Sequence, residues 1–231
     1  MPSLRITRHV QLLAALVASE VVGPLLAQAN VVAHVASILL FGLVCVAVFR
    51  ALFATRRRRW IGSILAGTTL AIDLARLFLP KHLQLFSDVV LNISASAFFV
   101  FVLTVIVSHV FSTRQLRIDD VVGAFSGYIV IALLWGRLYV LTWLARPDSF
   151  KISPDIQWQL REWSTLHALF DYYSFTTISS IGYSYITTAA PASNTLVWLE
   201  VMCGQFYLAV VVATIVGMKM AEALSASRQG T

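Results

Sequence analysis

The residues whose types could do chemistry form a hydroxyl-rich run around a Gly-Tyr pair. Residues 176–187 read Thr-Thr-Ile-Ser-Ser-Ile-Gly-Tyr-Ser-Tyr-Ile-Thr, and a long apolar segment begins near residue 195. The carbonyl and hydroxyl oxygens of such a turn can replace the water around a dehydrated cation. A short helix, a hydroxyl-rich turn and an apolar helix, in this order, are typical of a loop that enters a membrane and leaves on the same side. We therefore expect the rest of the chain to form a scaffold around this loop.

The composition indicates that this scaffold lies in a membrane. Of the 231 residues, 58% are hydrophobic and 12% are charged, and the mean hydropathy is +0.80. In a soluble domain, about a quarter of the residues are charged. The net charge of +6 does not indicate a nucleic-acid partner, because the Lys and Arg residues lie mostly in short loops between apolar spans. We expect an integral membrane protein that binds no nucleic acid.

Six apolar stretches are long enough to cross a hydrocarbon core of about 30 Å as helices. They lie at residues 10–28, 31–54, 61–79, 86–112, 120–144 and 195–222. The sequence therefore predicts an all-α membrane protein with six transmembrane helices. The Gly-Tyr segment is expected to follow a short re-entrant helix between the fifth and sixth of them.

The distribution of basic residues predicts the orientation. With the N-terminus in the cytoplasm, the cytoplasmic side holds Arg5, Arg8, Arg50, the arginines at 56–59, Arg114, Arg117, Lys219 and Arg228. The opposite side holds fewer, namely Lys81, Arg146, Lys151 and Arg161, with Arg76 and Arg137 near helix ends. The positive-inside rule then places both termini of a multi-pass cell-membrane protein (plasma or inner membrane) in the cytoplasm. The loop at residues 145–195 is expected outside, so the Gly-Tyr segment enters from the external face.

Several short pieces occur in a fixed order around the Gly-Tyr pair. They lie at residues 173–177, 180–183, 199–200 and 204–213. In this order, residues from about 120 to 222 resemble the pore domain of the potassium-channel superfamily, in particular its small bacterial members. The resemblance implies a homotetramer that conducts cations passively. It also implies a four-helix transmembrane domain at residues 1–115, in the position of a voltage sensor, and a pore domain at residues 116–231.

The family's selectivity filter reads Thr-x-Gly-Tyr-Gly-Asp. The resemblance implies that these positions are taken here by Ser180, Ile181, Gly182, Tyr183, Ser184 and Tyr185. Ser180 keeps a hydroxyl at the inner end, and the next three carbonyls would face the ion. Support from the pore helix is expected from Tyr172, Tyr173, Thr176 and Thr177.

Two departures from the family pattern lie at the outer end of this filter. Ser184 stands where the family has a second Gly in left-handed backbone, which costs another residue roughly 1 kcal/mol or more. Tyr185 replaces the Asp whose carboxylate ties the outer filter to the pore helix. We expect the inner ion sites to survive and the outer ones to be widened or rebuilt. Two hypotheses for the permeant ions therefore remain: K⁺, or Na⁺ together with K⁺. The alternative from another functional class is a non-conducting regulatory protein built on a channel-like scaffold.

The gating stimulus is not evident in the sequence. The fourth span carries none of the regularly spaced arginines of a voltage sensor, only Asp88, Asn92 and His109. Steep voltage sensing is therefore not expected. Gly217 could let the sixth helix bend as a gate, although a small residue at a helix crossing explains it equally well.

Ionisable residues in or near the first four spans are candidates for a sensor or for structural pairing. They are Glu20, Asp73, Arg76 and Asp88. Asp73 and Arg76 are three apart on one helix face and can pair, and a pair that locks the bundle is favoured over a proton or ligand sensor. A second group is the basic run Arg56, Arg57, Arg58 and Arg59. Such a run usually fixes topology, with anionic lipid as the alternative partner.

No pattern typical of an enzyme is visible in the sequence. We find no nucleophile–base–acid set, no metal-ligand spacing and no phosphate-binding glycine loop. Cys45 and Cys203 lie inside apolar runs, which favours small core residues over a disulfide or a ligand pair. We expect no enzymatic activity, and neither a cofactor nor a metal beyond the permeant K⁺ and possible Na⁺.

Overall fold

A computed structural model describes residues 8–26, 30–52, 55–76, 78–112, 118–156, 163–182 and 185–229. In these residues the chain is almost entirely helical. The helices are α1 (Arg8–Leu26), α2 (Asn30–Leu52), α3 (Arg56–Arg76), α4 (Lys81–Ser112), α5 (Ile118–Ala145), α6 (Trp163–Ile178) and α7 (Pro191–Gln229). Each predicted apolar span overlaps one long helix, and α6 is the predicted short helix before the Gly-Tyr pair. The all-α class is confirmed.

Two short strands were not among the predicted elements. After α5 and a 3-10 turn at Pro147–Ser149 comes β1 (Phe150–Ile152), which pairs antiparallel with β2 (Ile186–Thr188). Phe150 lies opposite Thr188 in this register. The pairing joins the segment after α5 to the segment before α7.

Three helices are long and apolar enough to cross a membrane. Their apolar segments are His82–Val110 in α4, Asp119–Ala145 in α5 and Pro191–Met220 in α7. Shorter apolar segments lie in α1 and α2, at His9–Val22 and Ile38–Ala51. Within the described residues α3 does not qualify, since four arginines open it and Asp73 and Arg76 lie near its end. The protein is therefore a membrane protein, while six crossings and the position of the termini stay predictions; Arg5, Arg114, Arg117 and Arg161 lie outside the described residues.

The largest apolar core joins the first helices to α5. Leu12 of α1, Val48 of α2, Phe98 of α4 and Val130 of α5 are all almost completely buried in it. Because lipid is as apolar as these side chains, close van der Waals packing rather than exclusion from water holds such helices together in a membrane. This core crosses the predicted boundary between residues 115 and 116, and the division into two domains stays a prediction.

A second core fixes α6 and the strands against the last half of α5. It is aromatic, with ring centroids 5.0 Å apart for Tyr139 and Tyr173 and 5.3 Å apart for Phe150 and Phe170. Both pairs meet edge to face, an arrangement that favours the ring quadrupoles. Ile186 of β2 is buried in the same cluster. The start of α6 and the strand that follows it therefore lie at the same end of α5.

Helix α7 differs from the other long helices in its exposure. Only 6% of its most apolar window is buried in the single chain, against 50% for α5 and 44% for α4. Its exposed large side chains include Trp198, Met202, Phe206, Val210, Val212, Val216 and Met220. An apolar helix that its own chain leaves uncovered is covered by lipid or by other protein.

Candidate functional site

Helix α6 ends halfway along its two long neighbours. Its last residue, Ile178, is buried against Ile131 and Ala132 of α5. On the other side it meets Gly204 of α7, where an added Cβ would collide with the Ile178 side chain. Both contacts lie about 18–24 Å from either end of the apolar segments Asp119–Ala145 and Pro191–Met220, at 1.5 Å per residue. The carboxyl end of α6 is therefore at mid-depth of two membrane-length helices.

The chain then returns to the end from which α6 came. Leu166, in the first turn of α6, lies in the same cluster as Ile186 of β2. The helical rise from Leu166 to Ile178 is about 18 Å, and an extended chain from Ile178 to Ile186 reaches about 26 Å. The return segment is thus long enough to run back beside the helix. Tyr183 and Ser184, two of the predicted filter residues, lie outside the described residues.

A backbone motif stops α6 at this depth. The N–H of Ile181 donates to the carbonyl of Thr176, and the N–H of Ser180 donates to that of Thr177, both at 2.9 Å. This is a Schellman motif with Ser180 in the left-handed position, at φ +61°. The left-handed backbone conformation costs a non-glycine residue about 1 kcal/mol. Gly182, at φ +71°, adopts it without that cost. The predicted supports Thr176 and Thr177 therefore act on the turn through their carbonyls.

The turn is uncovered in the single chain. Residues 179–182 are all exposed, Ile181 by 59%. The Ser179 hydroxyl donates to the Phe175 carbonyl at 2.6 Å, whereas the Ser180 hydroxyl accepts from Nε2 of Gln205 at 3.2 Å. Ser180 is thereby oriented by α7 at the exposed surface. Its hydroxyl and the backbone beyond it are the polar groups that this site offers to a ligand.

A buried carboxylate anchors α6 from behind. Glu200 of α7 is fully buried and accepts from the Tyr139 hydroxyl at 2.5 Å. The Ser174 hydroxyl on α6 contacts the other Glu200 oxygen and lies 2.7 Å from the Ala132 carbonyl. One carboxylate thus joins α5, α6 and α7 behind the turn. The hydroxyl of Tyr128 adds a bond to the carbonyl of Ile178 at 3.0 Å.

The part of the return segment nearest α7 is held by the two strands. The N–H of Ser153 donates to the carbonyl of Tyr185 at 2.9 Å, and the N–H of Ala189 donates to that of Ser149 at 2.8 Å. The Tyr185 side chain is 56% exposed. Of the other predicted supports, Tyr173 is buried against Tyr139, whereas Tyr172 is 47% exposed. The segment is therefore anchored by backbone hydrogen bonds to the residues around β1.

The predicted Asp73–Arg76 pair is present, but it is not the main contact of Arg76. Nη1 of Arg76 lies 3.8 Å from Asp73, whereas Nη2 lies 2.5 Å from Oδ1 of Asp88 on the next helix. Glu20 is not part of this cluster, because its carboxylate interacts electrostatically with Arg137 and Asp171. Arg137 and Asp171 form an ion pair between α5 and α6. Both clusters join helices, and a sensing role stays a prediction.

We expect Asp88→Asn to lower the free energy of unfolding by about 1.5 kcal/mol, because it removes the carboxylate that lies 2.5 Å from the buried Arg76 guanidinium. Asp73→Asn is the matched control, since it removes the longer contact and should cost less than about 0.5 kcal/mol. Thermal unfolding in detergent measures both. An equal loss in the two variants would contradict the assignment of Asp88 as the main partner.

The structure does not assign a role to two other predicted sites. The side chains of Arg56, Arg57, Arg58 and Arg59 are exposed in the first turns of α3, and anionic lipid stays a predicted partner. Gly217 lies within the continuous helix α7, and no atom in the described part of the chain lies within 4 Å of a Cβ built there. A helix crossing within the single chain therefore does not explain this glycine, and a hinge stays a prediction.

The residues behind the turn were not predicted as site residues. Tyr128 and Tyr139 are polar groups within an apolar span, which is the signal that could have identified them, whereas Ser174 lay within a piece that carries the family resemblance. Glu200 and Gln205 lay within the pieces that carry the family resemblance, but neither was given a role. Their partners are on other helices, so no local spacing pointed to these contacts.

Comparison of the chain with protein-family models, with curated proteins and with solved structures found no match. The likeness to the potassium-channel superfamily therefore rests on the ordered residues quoted above. A functional assignment has to come from the position and chemistry of the turn after α6.

Proposed function

We propose that the protein is a homotetrameric channel for monovalent cations, and that the ions pass residues 180–185. One observation carries the proposal: the non-helical backbone after α6 lies at mid-depth of two membrane-length helices and is exposed in the single chain. Lipid cannot satisfy exposed polar backbone at that depth. Such backbone is tolerated only against protein or a water-filled cavity, and a pore on an oligomer axis provides both.

The chemistry of the turn suits a cation. The carboxyl end of α6 points toward mid-depth, where the negative end of a helix dipole favours positive charge. Hydrogen bonds within the chain occupy the carbonyls of Thr176, Thr177 and Ile178. The ion ligands are then the Ser180 hydroxyl and the carbonyls that follow it. These oxygen atoms replace the hydration water of the ion, and repulsion between neighbouring ions moves the ions through the pore.

Assembly is part of the proposal because one loop supplies too few oxygens to surround an ion. Closed rings of identical subunits give each oxygen symmetric copies around the axis. Large apolar side chains near the loop, Ile181, Trp198 and Phe206, are at least half exposed in the single chain. Neighbouring subunits would cover this surface. The number of four comes from the family resemblance.

The outer end of the filter determines selectivity in this proposal. The β1–β2 pairing and the Ser153–Tyr185 hydrogen bond hold the return segment where the family uses its Asp. Ordered outer sites of altered shape are therefore expected, and the permeant ions are K⁺ or K⁺ together with Na⁺. In this proposal the strands lie outside the cell, and both termini of a six-span protein lie in the cytoplasm.

Voltage is not the proposed stimulus. Helix α4 carries no arginine between Lys81 and Ser112. Its Asp88 is instead paired with Arg76 of α3. A fixed ion pair between two helices is a packing contact, whereas a voltage sensor needs several charges that move through the membrane field.

The test is cation flux into liposomes that contain the purified native chain, with K⁺ and Na⁺ gradients applied separately. Native mass spectrometry of the same sample should give four times the mass of the 25.5 kDa chain. Flux of at least one of the two ions by a tetramer is the expected result, with protein-free liposomes as the control.

A monomer that passes neither ion would contradict the proposal. A silent native tetramer whose Ser184→Gly/Tyr185→Asp variant conducts would indicate a disabled pore. That outcome would favour a regulatory protein built on a channel-like scaffold.

A further inference from the structure

A second cluster of polar side chains lies at the opposite end of α5 from the strands. It joins three helices, through His9 at the start of α1, His109 near the end of α4 and Asp120 at the start of α5. One potential ligand atom from each residue lies within 4.8 Å of the other two. Nε2 of His109 is 3.1 Å from Oδ1 of Asp120, and the two imidazole rings stack with centroids 5.6 Å apart.

We propose that these three side chains bind one divalent transition-metal ion, and that Zn²⁺ fits them best. Imidazole nitrogen and carboxylate oxygen are both common zinc ligands, and three protein ligands leave a fourth position for water. Two ligands on a tetrahedral zinc ion, each at about 2.0–2.1 Å, lie about 3.3 Å apart. The 3.1 Å between His109 and Asp120 is close to that separation. A small side-chain adjustment brings His9 to the same ion.

The burial of His9 is a second observation, independent of the ligand distances, that points to a metal ion at this place. The residue is only 6% exposed, and its Nδ1 is buried without a hydrogen-bond partner among the described residues. Glycine at position 123 leaves room for the ring, since an added Cβ would lie 3.0 Å from that nitrogen. A buried polar atom without a hydrogen-bond partner lowers the stability of the fold, and such atoms are rare in native proteins. A bound ion is one explanation for them. A bound metal would give this ring its partner.

The local charge also favours a dication. The carboxylates of both Asp119 and Asp120 act on the His9 ring, and Oδ1 of Asp119 is buried without a hydrogen-bond partner in the described part of the chain. Two carboxylates balance the charge of one divalent ion. Asp119 is not one of the three ligands, and it adds negative charge near the site.

The site is open to solvent on one side. The His109 side chain is 47% exposed in the single chain, which leaves a path for an ion to the cluster. Metal binding would fix α1 to the α4–α5 junction, where the first helices meet the proposed pore domain. The inference does not depend on conduction by the loop.

The experiment uses the full-length chain without a polyhistidine tag, stripped with EDTA and then titrated with ZnCl₂ by calorimetry in detergent. We expect one Zn²⁺ per chain and a rise in the unfolding temperature on binding. Absorption in the visible range after addition of CoCl₂ reports the ligand geometry directly. His109→Ala should weaken Zn²⁺ binding at least tenfold and remove the stabilisation by metal.

His82→Ala is the matched control, because His82 is an exposed histidine at the other end of α4. It should bind Zn²⁺ as the native chain does. Because His109 is half exposed, its replacement is not expected to prevent folding, which the unfolding temperature without metal checks. Absence of stoichiometric Zn²⁺ uptake by the native chain, or unchanged uptake by His109→Ala, would overturn the proposal. The His109–Asp120 contact would then be an ordinary hydrogen bond.

Discussion

Replacing Glu200 by alanine is expected to lower the free energy of unfolding by about 3 kcal/mol. The change removes the acceptor of the Tyr139 hydroxyl and a partner of Ser174, and both of these residues are fully buried. Buried polar groups left without partners cost about 1–3 kcal/mol each, and the lost side-chain volume adds a cavity. Because this carboxylate joins three helices behind the turn, we also expect the variant to lose cation flux.

The matched control for this prediction is Glu200→Gln. The amide keeps an acceptor for Tyr139 and offers an N–H to the Ser174 oxygen, so its cost should stay near 1 kcal/mol. Thermal unfolding of both variants in the same detergent makes the comparison. If alanine and glutamine are equally tolerated, Glu200 does not anchor α6 through these hydrogen bonds.

Replacing Gly204 by alanine is expected to displace the end of α6, with a cost of about 2 kcal/mol. An added Cβ would collide with the Ile178 side chain and approach its carbonyl at 3.2 Å. Overpacking of this kind typically costs about 1–3 kcal/mol. The shift would also pull the turn away from Gln205, whose Nε2 bonds the Ser180 hydroxyl. Flux should fall together with stability.

Gly217→Ala is the control, because it lies on the same helix and its added Cβ would meet no atom within 4 Å. Alanine has the higher helix propensity, so this variant should be more stable by about 0.5–1 kcal/mol. The two unfolding temperatures should therefore move in opposite directions. A shift of the same sign and size in both would show that the approach of Gly204 to Ile178 does not limit the packing.

The helices could be predicted from the sequence because long apolar runs carry a local signal. The runs at 120–144 and 195–222 overlap α5 and α7, and the short helix before the Gly-Tyr pair is α6. The strands could not be predicted in this way. Each strand has three residues, and the paired residues Phe150 and Thr188 are separated in the sequence by the whole of α6. A contact between such short segments leaves no periodicity in either of them.

The motif located the candidate site, but not its surroundings. Spacing on one helix suggested Asp73 as the partner of Arg76, whereas the shorter contact is to Asp88 on the next helix. The depth at which α6 ends depends on Ile178 meeting α5 and α7, which no local pattern encodes. The cluster of His9, His109 and Asp120 could not be predicted from spacing either, because His9 lies on α1, far in the sequence from the other two residues on α4 and α5.

The most direct test of the central claim is the K⁺/Na⁺ permeability ratio of the native chain against its Ser184→Gly/Tyr185→Asp variant. Residues beside the ion path can change this ratio, whereas distant residues that alter only stability or opening leave it unchanged. If the outer filter limits selectivity, this double change should raise the ratio at least tenfold, which equals about 1.4 kcal/mol of discrimination. Gly217→Ala should leave it unchanged. Flux with the same ratio in the native chain and the double variant would contradict the claim that cations pass through this loop.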